Sequence, residues 1–295
     1  MSAAPSFLRV GVVQPRARAE LQMPDNVDLA TAAVAEAANA GASLLLFPEG
    51  FPGPICATTS YDAADELATA ARDANITVCW SRVETAQDGR SYLVAYVHGP
   101  DGTQRLRYVR SHPATGDVHL ALSGTSLAPG ARIAPLFEVC GVPCGLLICS
   151  ELWLAEVARV LAVRGAEVLL APAGGGFGAV TANWQLIARA RAIENQAYVM
   201  LTHSLFGTES GAALIAGPEG DVAASSGEGL LVGQLDLARA RWLREQDDSM
   251  AEPKPFRSLP GLLRARRPQL YAELAQPVEG LYDYEAAARP REMSR

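Results

Sequence analysis

The chain has 295 residues, 49% hydrophobic and 19% charged, which is enough apolar material for a full core and too much for a disordered chain. Its formal net charge of −7 excludes a nucleic-acid binder that relies on general attraction to phosphate. The 25 basic residues comprise one lysine, Lys254, and otherwise only arginine.

In chain order, residues 8–13 read as a strand and 26–38 as an Ala-rich helix with Asp25 as its cap. Residues 43–47 (SLLLF) form a continuous apolar run, the pattern of a strand buried on both faces, and end abruptly at Pro48-Glu49-Gly50. A helix over 62–74 precedes three strand-like runs at 76–83, 92–98 and 104–109. The last two flank Gly99-Pro100-Asp101-Gly102, a hairpin signal. The second half repeats this logic. A strand at 142–148 stops at Cys149-Ser150 and is followed by a helix over 152–163, a strand at 167–171, a helix over 182–196 and a strand at 198–202. Hairpin pieces at 212–216 and 222–224 and a strand at 230–235 close the regular part. Beyond residue 246 Pro, Arg and acidic residues dominate, with one short helical stretch at 267–274, as in an arm or tail that leaves the core. The reading is one domain over 1–245 and an arm over 246–295.

No apolar run reaches the roughly 20 residues of a membrane helix, and the N-terminus lacks the pattern of a signal peptide. Five cysteines, at 56, 79, 140, 144 and 149, form no CxxC pair, and nothing completes a zinc site around Cys140 and Cys144. The expectation is a cytoplasmic protein with reduced thiols, no metal and no membrane or nucleic-acid partner.

Two reactive side chains directly follow buried strands, Glu49 after SLLLFP and Cys149 after VPCGLLI. The carboxyl ends of parallel strands are where ligands bind in α/β proteins. A carboxylate and a thiol presented together could serve as base and nucleophile, although a strand-end acid and a small buried cysteine are the commoner readings of each alone. Arg110, in RLRYVRSHP, offers a cation that would favour a thiolate or an oxyanion. Arg191 and Glu194, three residues apart on a helix, are expected to be structural, either paired or solvated. His112, His119 and His203 have no spacing that supports a Cys–His dyad.

The segments FPEG at 47–50, YVRSH at 108–112, GLLICSELW at 145–153 and WQLIARARAIENQAYV at 184–199, followed by PEGDV at 218–222, together resemble the nitrilase or carbon–nitrogen hydrolase superfamily over about residues 7–245. The resemblance implies an α/β fold, a four-layer α-β-β-α sandwich, and hydrolysis of a non-peptide carbon–nitrogen bond by a Glu, a Lys and a Cys without a cofactor. Glu49 matches the general base and Cys149 the nucleophile, while Arg110 stands where the family has its Lys. Asp117 is the one carboxylate available for the family's second acid. The Ser150 backbone N–H is a candidate oxyanion donor, Trp153 either lines the pocket or belongs to the core, and Gly174-Gly175-Gly176-Phe177 resembles the family's substrate-facing loop. The implied reaction acts on a small-molecule amide, carbamoyl compound or nitrile through a cysteine thioester. The alternatives are an acyltransferase using the same cysteine, or a non-catalytic homologue that binds a ligand or partner. A homodimer or higher homo-oligomer is implied as well. Loops near 51–61, 113–128 and 173–182 are expected to set specificity.

Overall fold

Strands such as Leu44–Leu46 are apolar at every position because both faces of their sheet are covered. The computed structural model describes residues 5–18, 20–55, 61–114, 127–175, 178–208, 210–244, 263 and 265–284. One six-stranded sheet comprises β1 (Phe7–Gln14), β2 (Leu44–Leu46), β3 (Thr77–Thr85), β4 (Ser91–His98), β5 (Gln104–Val109) and β12 (Gly229–Asp236), in the order β12-β1-β2-β3-β4-β5. The other comprises β6 (Phe137–Val139), β7 (Val142–Leu146), β8 (Val168–Ala173), β9 (Tyr198–His203), β10 (Ala213–Gly217) and β11 (Gly220–Ser225), in the order β11-β10-β9-β8-β7-β6. Each has a parallel centre, β1-β2-β3 or β7-β8-β9, flanked by antiparallel partners.

Alternation along the strands sorts side chains into three apolar layers. Val10, Val12, Leu44 and Leu46 of the first sheet meet Cys144, Leu146, Leu170 and Met200 of the second in the central layer. The outer face of the first sheet, with Leu45, Val78 and Trp80, carries α1 (Asn26–Asn39) and α2 (Ala64–Ala74). The outer face of the second, with Leu169, Val199 and Leu201, carries α3 (Ala155–Val163) and α4 (Thr181–Asn195). The result is the four-layer α-β-β-α sandwich. Among the described residues, no helix is long and apolar enough to cross a membrane.

Several elements differ from the sequence reading. The helix expected over 152–163 starts only at Ala155, because Cys149–Trp153 forms a separate 3-10 turn. Asp25 makes no side-chain cap and its backbone is already helical, at the end of an unexpected 3-10 segment, Glu20–Asp25. The short edge strand β6 and helix α5 (Leu237–Arg244) were not anticipated. Arg244 anchors α5 by donating to the carbonyls of Gln196 at 2.7 Å and Ala166 at 2.6 Å. The stretch expected as a helix at 267–274 forms only two 3-10 pieces, Pro268–Leu270 and Ala272–Ala275.

Leu146 is fully buried between the sheets. Leu146→Ala should lower unfolding stability by about 2–5 kcal/mol, since it leaves a cavity that close-packed sheets fill poorly; urea unfolding monitored by fluorescence measures this.

Candidate active site

Three strand ends converge at one rim of the sandwich. After β2 the chain turns tightly through Pro48-Glu49-Gly50-Phe51, with the Phe51 N–H donating to the Pro48 carbonyl at 3.3 Å. Gly50 has φ of +69°, and a Cβ there would run into the Ile55 side chain, so the turn requires glycine. Its N–H donates to Ser81 Oγ at 2.7 Å, and the Ser81 hydroxyl donates to the Pro48 carbonyl at 3.3 Å. The Glu49 N–H donates to the Ala173 carbonyl at 3.1 Å, which pins this turn to β8 of the opposite sheet. The Glu49 side chain is 7% exposed.

Arg110 follows β5. Its N–H donates to the Leu93 carbonyl at 3.0 Å, and its own carbonyl accepts from Gly130 N–H at 2.8 Å. The guanidinium is 1% exposed and donates through Nη1 to Glu49 Oε1. Removing one member of such a buried pair costs about 3–5 kcal/mol, because the other charge is left stranded.

Cys149 lies just beyond β7, where the Leu147 N–H donates to the Leu170 carbonyl at 3.0 Å. Its φ of +52° is a left-handed conformation that non-glycine residues seldom adopt, and it marks the start of the 3-10 turn. The thiol lies near Glu49 and the Gly174 backbone, and both act on its proton. Burial pushes this thiol well above the ordinary cysteine range; the Glu49 charge adds to the shift and Arg110 opposes it. Gly174 lies close by, since a Cβ on it would stand 3.0 Å from Glu49 Oε2. The structure thus brings Glu49, Arg110 and Cys149 together.

Sequence reasoning gave no role to Glu151, which is fully buried. Its Oε1 accepts from Tyr108 Oη at 2.6 Å, Ser111 N–H at 2.7 Å and Ser111 Oγ at 2.6 Å, while Oε2 accepts from Ile148 N–H at 2.7 Å. One carboxylate therefore ties the segment after β5, which carries Arg110, to the turn that carries Cys149. Burial and the Glu151 charge both push the Tyr108 phenol upward, so it stays protonated as a donor. The available signal was an acid three residues after Ile148, spaced to reach back to a turn's first N–H.

Ser150 Oγ donates to the His112 carbonyl, and His112 Nδ1 lies 2.8 Å from Ser111 Oγ. Trp153 is 40% exposed and stands edge-on to Trp184, with ring centroids 5.4 Å apart. Arg191, paired with Glu194 at 2.9 Å, donates to the carbonyls of Leu152 and Trp153, both at 2.9 Å, and so clamps the end of the turn. His203 is buried; Nε2 accepts from Ala212 N–H at 2.8 Å, which leaves Nδ1–H to donate to the Ser204 carbonyl. Asp117, Phe177 and His119 lie outside the described residues. Among the described residues, no cluster of three or more His, Cys, Asp or Glu side chains could hold a metal ion.

Known proteins resemble this chain in sequence and in fold. Omega-amidase NIT2 of Homo sapiens is 29% identical over 242 residues, covering 75% of this chain and 87% of that protein. The crystal structure of an amidase from Nesterenkonia sp. superposes with a TM-score of 0.73 at 24% identity, covering 90% of this chain and 96% of that one, a likeness of fold. A variant of the amidase from Nesterenkonia sp. AN1 is 25% identical, with a TM-score of 0.72 over 92% of this chain and 100% of that one. It carries the acetamide moiety of fluoroacetamide covalently on its active-site cysteine. The family model described as carbon-nitrogen hydrolase matches residues 9–245, four-fifths of the sequence. This chain belongs to the carbon–nitrogen hydrolase family.

Proposed function

We propose that this protein is an amidase-type hydrolase that opens a non-peptide carbon–nitrogen bond of a small molecule through a Cys149 thioester. The observation that carries this reading is the nearness of the Cys149 thiol to Glu49, itself held by the buried Arg110. Amide is favoured over nitrile because the similar proteins are an omega-amidase and an amidase.

The raised Cys149 thiol is protonated at neutral pH, so a free thiolate is not the resting nucleophile. Glu49 takes the thiol proton as sulfur attacks the amide carbon, forming the S–C bond and an oxyanion. At that moment Glu49 becomes neutral and Arg110 loses its counter-charge, while a new negative charge develops on the substrate oxygen. The guanidinium thus exchanges one anionic partner for another, and no uncompensated buried charge appears. The Ser150 N–H, at the opening of the 3-10 turn, is the second oxyanion donor in this scheme. Glu49 then gives its proton to the departing ammonia or amine as the C–N bond breaks. Water deprotonated by Glu49 attacks the thioester, the C–S bond breaks, and the proton returns to Cys149. Arg110 remains a fixed charge throughout, because a guanidinium does not give up a proton near neutral pH.

Cys149→Ala should abolish ammonia release from amides, and Glu49→Gln should lower kcat by about 10²–10⁴-fold, the range for loss of a general base. Arg110→Lys should lower kcat/KM by at least about tenfold, because a point charge replaces a planar fork paired with Glu49; a gain in activity would contradict the partner exchange. Direct alkylation of Cys149 by iodoacetamide, followed by peptide mass mapping, should reach its half-maximal rate at a higher pH than a free cysteine, above about pH 8.5, as a raised thiol requires. In Glu151→Gln an amide nitrogen must face one of the N–H or O–H donors around the carboxylate. The substitution should lower stability by about 1–3 kcal/mol and reduce kcat more than it changes KM, read by urea unfolding and steady-state kinetics.

A further inference from the structure

The arm beyond the family-matched residues returns to the site. Residues 267–283 are exposed throughout, and Tyr284 is the residue at which the arm becomes shielded again. The Tyr284 ring stands edge-on to the His112 imidazole, with centroids 5.7 Å apart and planes at 84°, and Tyr282 packs edge-on against it at 4.9 Å. His112 belongs to the site, since its carbonyl accepts from Ser150 Oγ and its ring bonds Ser111 Oγ. Burial raises the Tyr284 phenol, and the charges of Arg110 and Glu151 both act on it.

We propose that Tyr284 is a specificity-determining residue, an aromatic wall on the His112 side of the site that favours short, unbranched acyl groups over bulky ones at Cys149. The reacting groups all lie within residues 9–245, the part that the family model matches, whereas Tyr284 lies outside it. A side chain brought in by a separate segment can reshape the entrance without moving Glu49, Arg110 or Cys149. An aromatic ring suits this task, because it has few rotatable bonds and here is gripped by rings on two sides. The choice of acyl group rests on the reading of Cys149 as the nucleophile; the steric screening of its sulfur does not.

The test compares alkylation of Cys149 in the full-length protein by iodoacetamide and by iodoacetanilide, which carry the same reactive group at different bulk, with mass mapping of the modified peptide. Tyr284→Ala should raise the iodoacetanilide-to-iodoacetamide rate ratio about tenfold, the scale of a steric pocket effect, while Tyr284→Phe keeps the ratio of the unmodified protein. Tyr284→Leu, which retains apolar bulk, should fall between them and serves if the alanine variant does not fold. Leu281→Ala, at an exposed position on the same arm, should leave the ratio unchanged. An unchanged ratio in Tyr284→Ala, or an equal rise in Leu281→Ala, overturns the wall. In parallel, kcat/KM for benzamide relative to acetamide should rise in Tyr284→Ala. If the unmodified protein hydrolyses no amide, the proposed function fails, while the alkylation ratio still decides the wall.

Discussion

An ionised carboxylate survives inside a protein only where donors surround it, and the rim of this sandwich is organised around that requirement at Glu151. Four close donors, from Tyr108, Ser111 and Ile148, converge on its two oxygens. They come from two separate stretches of chain, so satisfying this one acid fixes the segment after β5 against the turn after β7. Arg110 and Cys149 sit on those two stretches. Their approach follows from the hydrogen bonding of a residue with no part in the proposed proton transfers. Arg191 closes the same turn from the helix side, holding two of its carbonyls.

The second charge pair obeys the same rule with a different outcome. Glu49 and Arg110 are both shielded from water, and each is the other's compensation. Because the Glu49 carboxylate also acts on the nearby thiol, a proton arriving on it changes the electrostatics of the whole pocket at once. The raised Cys149 thiol fits a site whose nucleophile is made during attack rather than stored as an anion. A guanidinium suits the central position for a simple reason: it stays charged in a dry site, where burial would pull an ammonium toward neutrality.

Much of this was legible in the sequence because its signals are local. SLLLF and VPCGLLI announce doubly buried strands, and an acid and a cysteine directly after them must stand at strand ends. The two-sheet layering came from resemblance rather than periodicity, since continuous apolar runs do not reveal which face meets which partner. Short-range reading failed where several segments share one polar group. The 3-10 turn at Cys149–Trp153 exists because Glu151 folds back on Ile148 while also serving Tyr108 and Ser111, which no window of sequence displays. Asp25 shows the converse, a good capping residue overruled because the chain before it is already coiled. Tyr284 left no signal at all, as a tyrosine in a polar arm reads as a surface residue until the arm's path is known.

Acid and guanidinium ride on one sheet, and sulfur rides on the other. The gap across which the proton passes in the proposed reaction is therefore set by the hydrocarbon filling between the layers, whose natural spacing is about 10 Å. A methylene added deep in that filling, far from any polar group, would spread the layers and spoil an alignment that tolerates little error. In this architecture the lubricant and the gearing are the same material, so reactivity is a gauge of how well two greasy surfaces fit.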